Sequence, residues 1–237
     1  MNAVTALVAE APGAVNGITI TEPTLLSEQL KRVCSTFPIL GAKTGMLGNA
    51  ATVEVIVNFM QENPELDLVI DPVIRASAGA ELLNAGGLSM LIRDLIPLAT
   101  LITPNLPEAE ILLGRSIQSA GEMKAAALEM NDRFGCSVLI KGGHVDENSE
   151  NHDIVDRAAI FGVIYEFEHP RLDLPDLHGT GCTLSAAITA HLALGDEIAS
   201  AIDAATDYLT QCMIQHHHWL NQEDGIRALN HFPNQVE

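Results

Sequence analysis

Short apolar runs alternate with longer amphipathic stretches over the first 140 or so residues, and this rhythm restricts the chain to few architectures. The runs are Ala3–Ala9, Phe37–Lys43, Leu66–Asp71, Thr100–Thr103 and Ser137–Lys141. Between them lie stretches long enough for helices: Thr24–Cys34, Ala50–Gln61, Gly86–Ile96 and Ala120–Phe134. This is the βαβ pattern of a mostly parallel sheet with helices on both faces, a three-layer α/β/α arrangement. Continuous runs such as Leu68-Val69-Ile70 suit strands covered on both sides. Aromatic residues are only 4% of the chain, so the core is expected to be built from Ala, Val, Leu and Ile.

After Gly142-Gly143 the pattern changes. Asp153–Arg157 and Ala159–Phe167 read as antiparallel strands around a polar turn, and Gly181–Leu194 and Ile198–His218 as two long helices. The 237 residues contain no repeat, low-complexity tract or linker, so one domain over 1–237 is expected.

The net charge of −19 argues against a nucleic-acid partner. It leaves a nucleotide ligand open, because a phosphate site needs only local N–H groups, a metal ion and one or two cations. Cys34, Cys136, Cys182 and Cys212 form no CxxC pair, which speaks against a zinc site and for a reducing, cytoplasmic setting. No segment approaches a membrane span, so no membrane partner is expected.

Several strands end in polar or glycine-rich residues: Lys43-Thr44-Gly45, Asp71-Pro72, Thr103-Pro104-Asn105 and Lys141-Gly142-Gly143. Ligands of open α/β sheets bind at the carboxyl ends of strands, so these residues point to one cleft. His178-Gly179-Thr180-Gly181-Cys182-Thr183 precedes a helix. Its small residues allow close approach to an anion at the positive end of the helix dipole, a geometry suited to a phosphoryl group in transfer. An ordinary glycine-rich helix start is the competing explanation. Cys182 in the first turn is expected to have a lowered thiol pKa and to act as a base or orient a hydroxyl; a small packed residue is the alternative. Asn105 and Glu108 could reach one Mg²⁺, or simply cap a helix. Asp71 could add a carboxylate, or end a strand. Lys141 could neutralise a phosphate, or be a solvated surface lysine. His216-His217-His218 reads as a polar helix end, since adjacent helical residues do not face one another.

Taken in order, Lys43-Thr44-Gly45-Met46-Leu47-Gly48, Asp71-Pro72-Val73, the run from Ile96 to Glu110, Lys141-Gly142-Gly143-His144 and His178 to Ala187 resemble the hydroxymethylpyrimidine/phosphomethylpyrimidine kinases of the ribokinase-like fold. The resemblance spans almost the whole chain. It implies ATP- and Mg²⁺-dependent phosphorylation of a small molecule, hydroxymethylpyrimidine and then its monophosphate, in thiamine biosynthesis. It further implies an anion hole at Gly179, Thr180 and Gly181, with Cys182 beside the substrate hydroxyl. Lys141 and Gly143 would contact ATP, Asn105, Glu108 and Asp71 would manage Mg²⁺ and phosphates, and Met46 would border the pyrimidine.

Relatives carry an earlier strand and a glycine- and serine-rich loop, so the chain is expected to be N-terminally shortened against the family. They also carry Gln-Asn-Thr where this chain has Glu10-Ala11-Pro12. Glu10 would then read the ring without an amide donor. A pyridoxal-type kinase on a related hydroxymethyl heterocycle, and a non-catalytic ligand-binding homologue, are the alternatives. A homodimer is one expectation for assembly, which the sequence does not specify.

Overall fold

The computed structural model describes residues 1–11, 14–76, 79–143, 153–174, 177–218 and 227–233. Pro12 and His144, singled out above, lie outside them. The chain opens with a hairpin, β1 (Ala6–Ala11) and β2 (Ala14–Ile20), followed by α1 (Pro23–Thr36). Then come β3 (Gly41–Thr44), α2 (Ala50–Glu62), β4 (Asp67–Ile70) and α3 (Ala85–Met90). Next are β5 (Leu101–Ile102), α4 (Leu106–Leu113), α5 (Ala120–Phe134) and β6 (Ser137–Ile140). The antiparallel pair β7 (Asp153–Ile160) and β8 (Val163–Pro170) precedes α6 (Thr180–Ala193) and α7 (Ile198–Ile214). Two short strands, β9 (His217–His218) and β10 (Arg227–Ala228), pair with each other.

The central sheet has six strands in the order β3-β4-β5-β6-β7-β8. β3 to β6 run parallel to one another, β7 is antiparallel to β6, and β8 is antiparallel to β7. Alternation along each strand divides its side chains between two cores. Leu68, Ile70, Ile102, Val138 and Ile140 pack in the core with residues of α2, α4 and α5. Val69, Leu101, Leu139 and Ala158 pack beneath α6 and α7. The result is the expected three layers, with aliphatic side chains dominating both interfaces. Among the described residues no helix is long and apolar enough to cross a membrane.

Four expectations need correction. The apolar run at Ala3–Ala9 does not enter the central sheet. Among the described residues its strand pairs with β2 alone, in a separate two-stranded sheet. The stretch Gly86–Ile96 is not one regular helix: α3 passes into a π-turn at Leu91–Leu95 and a 3-10 turn at Ile96–Leu98. Pro97 has no N–H to continue the ladder.

The turn between β7 and β8 is Phe161-Gly162, both with positive φ, rather than a polar residue near Ala158. Ala158 and Ala159 stay in the strand because both are fully buried. Finally, α7 stops at Ile214. His216 follows it with Nδ1 2.8 Å from the carbonyl of Met213, and His217–His218 belong to β9.

Candidate active site

Parallel register brings the polar strand ends together. Lys43 lies opposite Val69, and Gly41, two residues earlier, faces α6, where a Cβ would lie 3.4 Å from Ala193 Cβ. Lys43 therefore shares the α6 side of the sheet with Asp71 and Lys141, which follow Val69 and Leu139 by two residues. These three side chains form a row at the carboxyl ends of β3, β4 and β6, beneath the amino end of α6.

Asp71 is the hub of the row. It is buried, with Oδ1 3.4 Å from Lys141 Nζ and Oδ2 3.6 Å from Cys182 Sγ. Gly181 packs closely here: a Cβ would sit 3.2 Å from Lys141 Nζ and 3.9 Å from Asp71 Oδ2, so a larger residue would press the ammonium group aside. Gly179 takes φ 88°, a left-handed conformation suited to glycine, and no side chain among the described residues caps α6. The first N–H groups of that helix are thus left for a ligand. Thr183 closes the turn by donating its hydroxyl to the Gly179 carbonyl at 2.8 Å.

The thiol of Cys182 differs from expectation. The helix terminus does not prevail: the protein mass around the sulfur pushes its pKa above the usual value, and the negative charge of Asp71 adds to this. The Lys43 and Lys141 ammonium groups act in the opposite direction and do not overcome it. The residue as a whole is nonetheless exposed, so a ligand can reach it. At neutral pH Cys182 is a thiol, able to donate to Asp71 while it faces the cleft.

Asn105 and Glu108 lie close enough to the row for the charges of Lys141 and Asp71 to act on Glu108. Pro104 and Pro107 bracket the start of α4, and the two residues form a complete capping box. Asn105 Oδ1 accepts the Glu108 N–H at 2.9 Å, and Glu108 Oε2 accepts the Asn105 N–H at 3.0 Å. The other carboxyl oxygen, Oε1, accepts the Ile74 N–H at 3.3 Å. Between Asp71 and Ile74, Val73 has φ 42°, a strained setting for a β-branched residue. Glu108 thus ties α4 to the bent segment that carries Asp71.

Burial raises the pKa of Glu108 above its ordinary value of 4.5, outweighing the nearby Lys141. A raised folded pKa favours the native state below the unfolded value and loses that contribution as pH rises through the folded value. In thermal or urea unfolding, the stability advantage of the parent over Glu108→Gln is expected to narrow as pH rises from about 4.5. A gap that widens instead would show that the carboxylate is not held against its charge.

A cleft of about 240 Å³ opens on one side of the row, lined by Lys141, Gly143, Asp156, His169, Thr180, Gly181 and apolar residues of α6 and α7. Sequence reasoning passed over Asp156. It is buried in β7, its Oδ1 accepts the Gly142 N–H at 2.6 Å, and its Oδ2 lies 3.5 Å from His169 Nε2. A single Asp inside a strand carries no local signal of such a role. Gly142 is equally constrained, because a Cβ there would collide with the Val155 carbonyl. A second cleft of about 620 Å³ runs along α6, lined by Cys182, Ala186, Ala190, His191, Tyr208 and His231.

Met46 lies in the loop after β3, where its carbonyl accepts the Thr5 hydroxyl at 2.6 Å. Ile20 packs over Gly48 in the same loop, at φ 74°, so the hairpin is anchored beside the strand ends. Glu10 is exposed and lies toward the hairpin's turn, five residues and roughly 16 Å beyond that anchor. The described contacts bring Asp71, Lys141, Gly181 and Cys182 together, and Asn105 with Glu108. They do not bring Glu10 to that group.

The order and placement of these residues agree with a full-length match. The model of the phosphomethylpyrimidine kinase family matches residues 1–227. The chain belongs to this family. It is 38% identical over 232 residues to the hydroxymethylpyrimidine/phosphomethylpyrimidine kinase of Haemophilus influenzae, covering 98% of this chain and 85% of the relative.

Family members and their neighbours share the ribokinase-like fold. The phosphomethylpyrimidine kinase of Clostridium difficile 630 superposes with a TM-score of 0.76 at 32% identity, covering 89% of this chain and 85% of that one. The ADP complex of Bacillus subtilis pyridoxal kinase superposes with a TM-score of 0.84 at 30% identity, covering 98% and 86%. Phosphomethylpyrimidine kinases are phosphotransferases, and the nucleotide complex among these neighbours agrees with a nucleotide site here.

Proposed function

We propose that this chain transfers the γ-phosphoryl group of ATP to the hydroxyl of hydroxymethylpyrimidine, and then a second one to the resulting monophosphate, for thiamine biosynthesis. The observation that carries the reading is the junction of Asp71, Lys141 and Cys182 at the uncapped start of α6, in a chain of this family. ATP would lie in the cleft of Lys141 and Gly143, with its terminal phosphate toward the N–H groups of Gly179, Thr180 and Gly181. The acceptor would approach Cys182 from the other side. The thiol orients the acceptor hydroxyl, and Asp71 is the acceptor for its proton, directly or through the thiol. Lys141 neutralises charge on the moving phosphoryl group.

The donor set suits Mg²⁺ bound mainly through phosphates. That ion keeps several waters and takes one or two carboxylates. Asp71 offers carboxylate oxygens at the cleft. Asn105 Oδ1 and both Glu108 oxygens already accept backbone N–H groups, so these residues would act on the ion through its water shell. The ion would supply neutralisation of phosphate charge. Met46 and Glu10 belong to the same reading as groups for the pyrimidine. So do a single kinase domain over 1–237, a homodimer, and residence in the cytoplasm, where the unpaired Cys34, Cys136, Cys182 and Cys212 would persist.

The likeness to pyridoxal kinase motivates a second reading, with pyridoxal as the alcohol. The purified chain with ATP and Mg²⁺ should form ADP with hydroxymethylpyrimidine and with its monophosphate, at a kcat/KM at least about tenfold above that for pyridoxal. A tenfold preference corresponds to about 1.4 kcal/mol in the transition state. The reverse preference would select the second reading. ADP formation with neither alcohol would reject both.

A further inference from the structure

Lys43 stands in the same row as Asp71 and Lys141, and its charge acts on the Cys182 thiol. It is partly buried on β3, and among the described residues it has no hydrogen-bond or ion-pair partner. Its ammonium group reaches toward the carboxyl end of the strand, where a Cβ on Gly45 would lie 3.8 Å from Nζ. The other three lysines, Lys31, Lys124 and Lys141, each pair with a carboxylate. A partly desolvated cation without a counter-charge is costly unless a ligand supplies one.

Position decides which ligand. Lys141 and Gly143 line the cleft assigned to ATP; Lys43 lines neither that cleft nor the one along α6, and its charge acts on the Cys182 thiol. In the order β3-β4-β5-β6, Asp71 on β4 separates Lys43 from Lys141. Lys43 is therefore on the far side of Asp71 from the nucleotide, with Cys182 on the acceptor side. The two acceptors of the proposed function differ in charge there. The first is a neutral alcohol, and the second brings a phosphate whose oxygens a lysine can hold as a point charge.

We propose that Lys43 binds the phosphate of the phosphorylated acceptor and so favours the second phosphoryl transfer over the first. This rests on the two-step reading above. In the second step, an oxygen of the acceptor phosphate forms the new P–O bond, and the bond from the γ-phosphorus to the ADP oxygen breaks. ADP and a diphosphate leave. Lys43 takes no part in bond making; it neutralises the nucleophile's remaining charge and holds it near Cys182.

The test compares parent, Lys43→Met and Lys43→Arg, using hydroxymethylpyrimidine and its monophosphate as separate acceptors at saturating ATP. The ratio of kcat/KM for the monophosphate to that for the alcohol is expected to fall at least tenfold in Lys43→Met. The fall should come mainly from a raised KM for the monophosphate, with Lys43→Arg recovering part of it. An unchanged ratio, with both steps lost equally or neither affected, would overturn the proposal. Calorimetric titration with the monophosphate in the absence of ATP separates this from failure of the functional reading. If the parent turns over neither acceptor, that reading fails. Weaker monophosphate binding by Lys43→Met would still uphold the phosphate contact, and equal binding would overturn it.

Discussion

Asp71→Asn is expected to lower kcat by roughly 10²–10⁴-fold, the range for losing a positioned acid–base group. Among the described residues Asp71 is the side chain that bonds both Lys141 and Cys182, with one carboxylate oxygen toward each. Asn preserves the shape and removes the charge. It would leave Lys141 without its counter-charge and a single acceptor oxygen to serve both the ammonium and the thiol. The pair is partly buried, with side-chain exposures of 18% for Lys141 and 5% for Asp71, at 3.4 Å. Its loss should therefore cost more than the exposed-pair value of up to about 1 kcal/mol and less than the about 3–5 kcal/mol of a fully buried pair. Stability and turnover are to be measured together. A folded variant with a kcat within threefold of the parent would remove Asp71 from the chemistry.

Cys182→Ala is expected to lower turnover about a hundredfold while leaving nucleotide affinity within a fewfold of the parent. Cys182→Ser separates two roles for the sulfur. The raised pKa keeps the group a thiol at neutral pH, so its proposed part is to donate to Asp71 and orient the acceptor hydroxyl. A serine hydroxyl can do both, and the Ser variant should keep at least about a tenth of the parent's rate. The pH–rate profile gives an independent check. Ionisation of the thiol should leave no inflection below about pH 9, the ordinary range for a cysteine or above. A rate that rises through pH 7 to 8 in the parent and not in Cys182→Ser would mean that the thiolate is the base.

The three layers were legible from periodicity alone, because strands covered on both sides must read as unbroken aliphatic runs. Ser137–Ile140 is such a case, with all of its residues buried. The capping box of Asn105 and Glu108 was equally legible, since it depends on residues three apart. The start of the chain was not. An apolar run such as Ala3–Ala9 has the same local pattern in a central strand and in a hairpin, and only pairing with Ala14–Ile20 tells them apart. The thiol state of Cys182 was misjudged for a related reason. Helix position argues for a lowered pKa, but burial and the charge of Asp71, 111 residues away in sequence, argue the other way and prevail.

Residue types and their order were thus enough to read the family, the layers and the polar strand ends as parts of one cleft. Those features follow from short-range rules: the period of burial, the residues a tight turn accepts, and the groups a helix start leaves free. Tertiary structure decided which polar groups meet. Strand register set Lys43 on the α6 side with Asp71 and Lys141, and closure of the sheet brought Asp156 beneath Gly142. It also gave Glu108 a second partner in Ile74, 34 residues earlier. Such pairings depend on distances across the sheet, and a one-residue slip would turn each of these side chains to the opposite face.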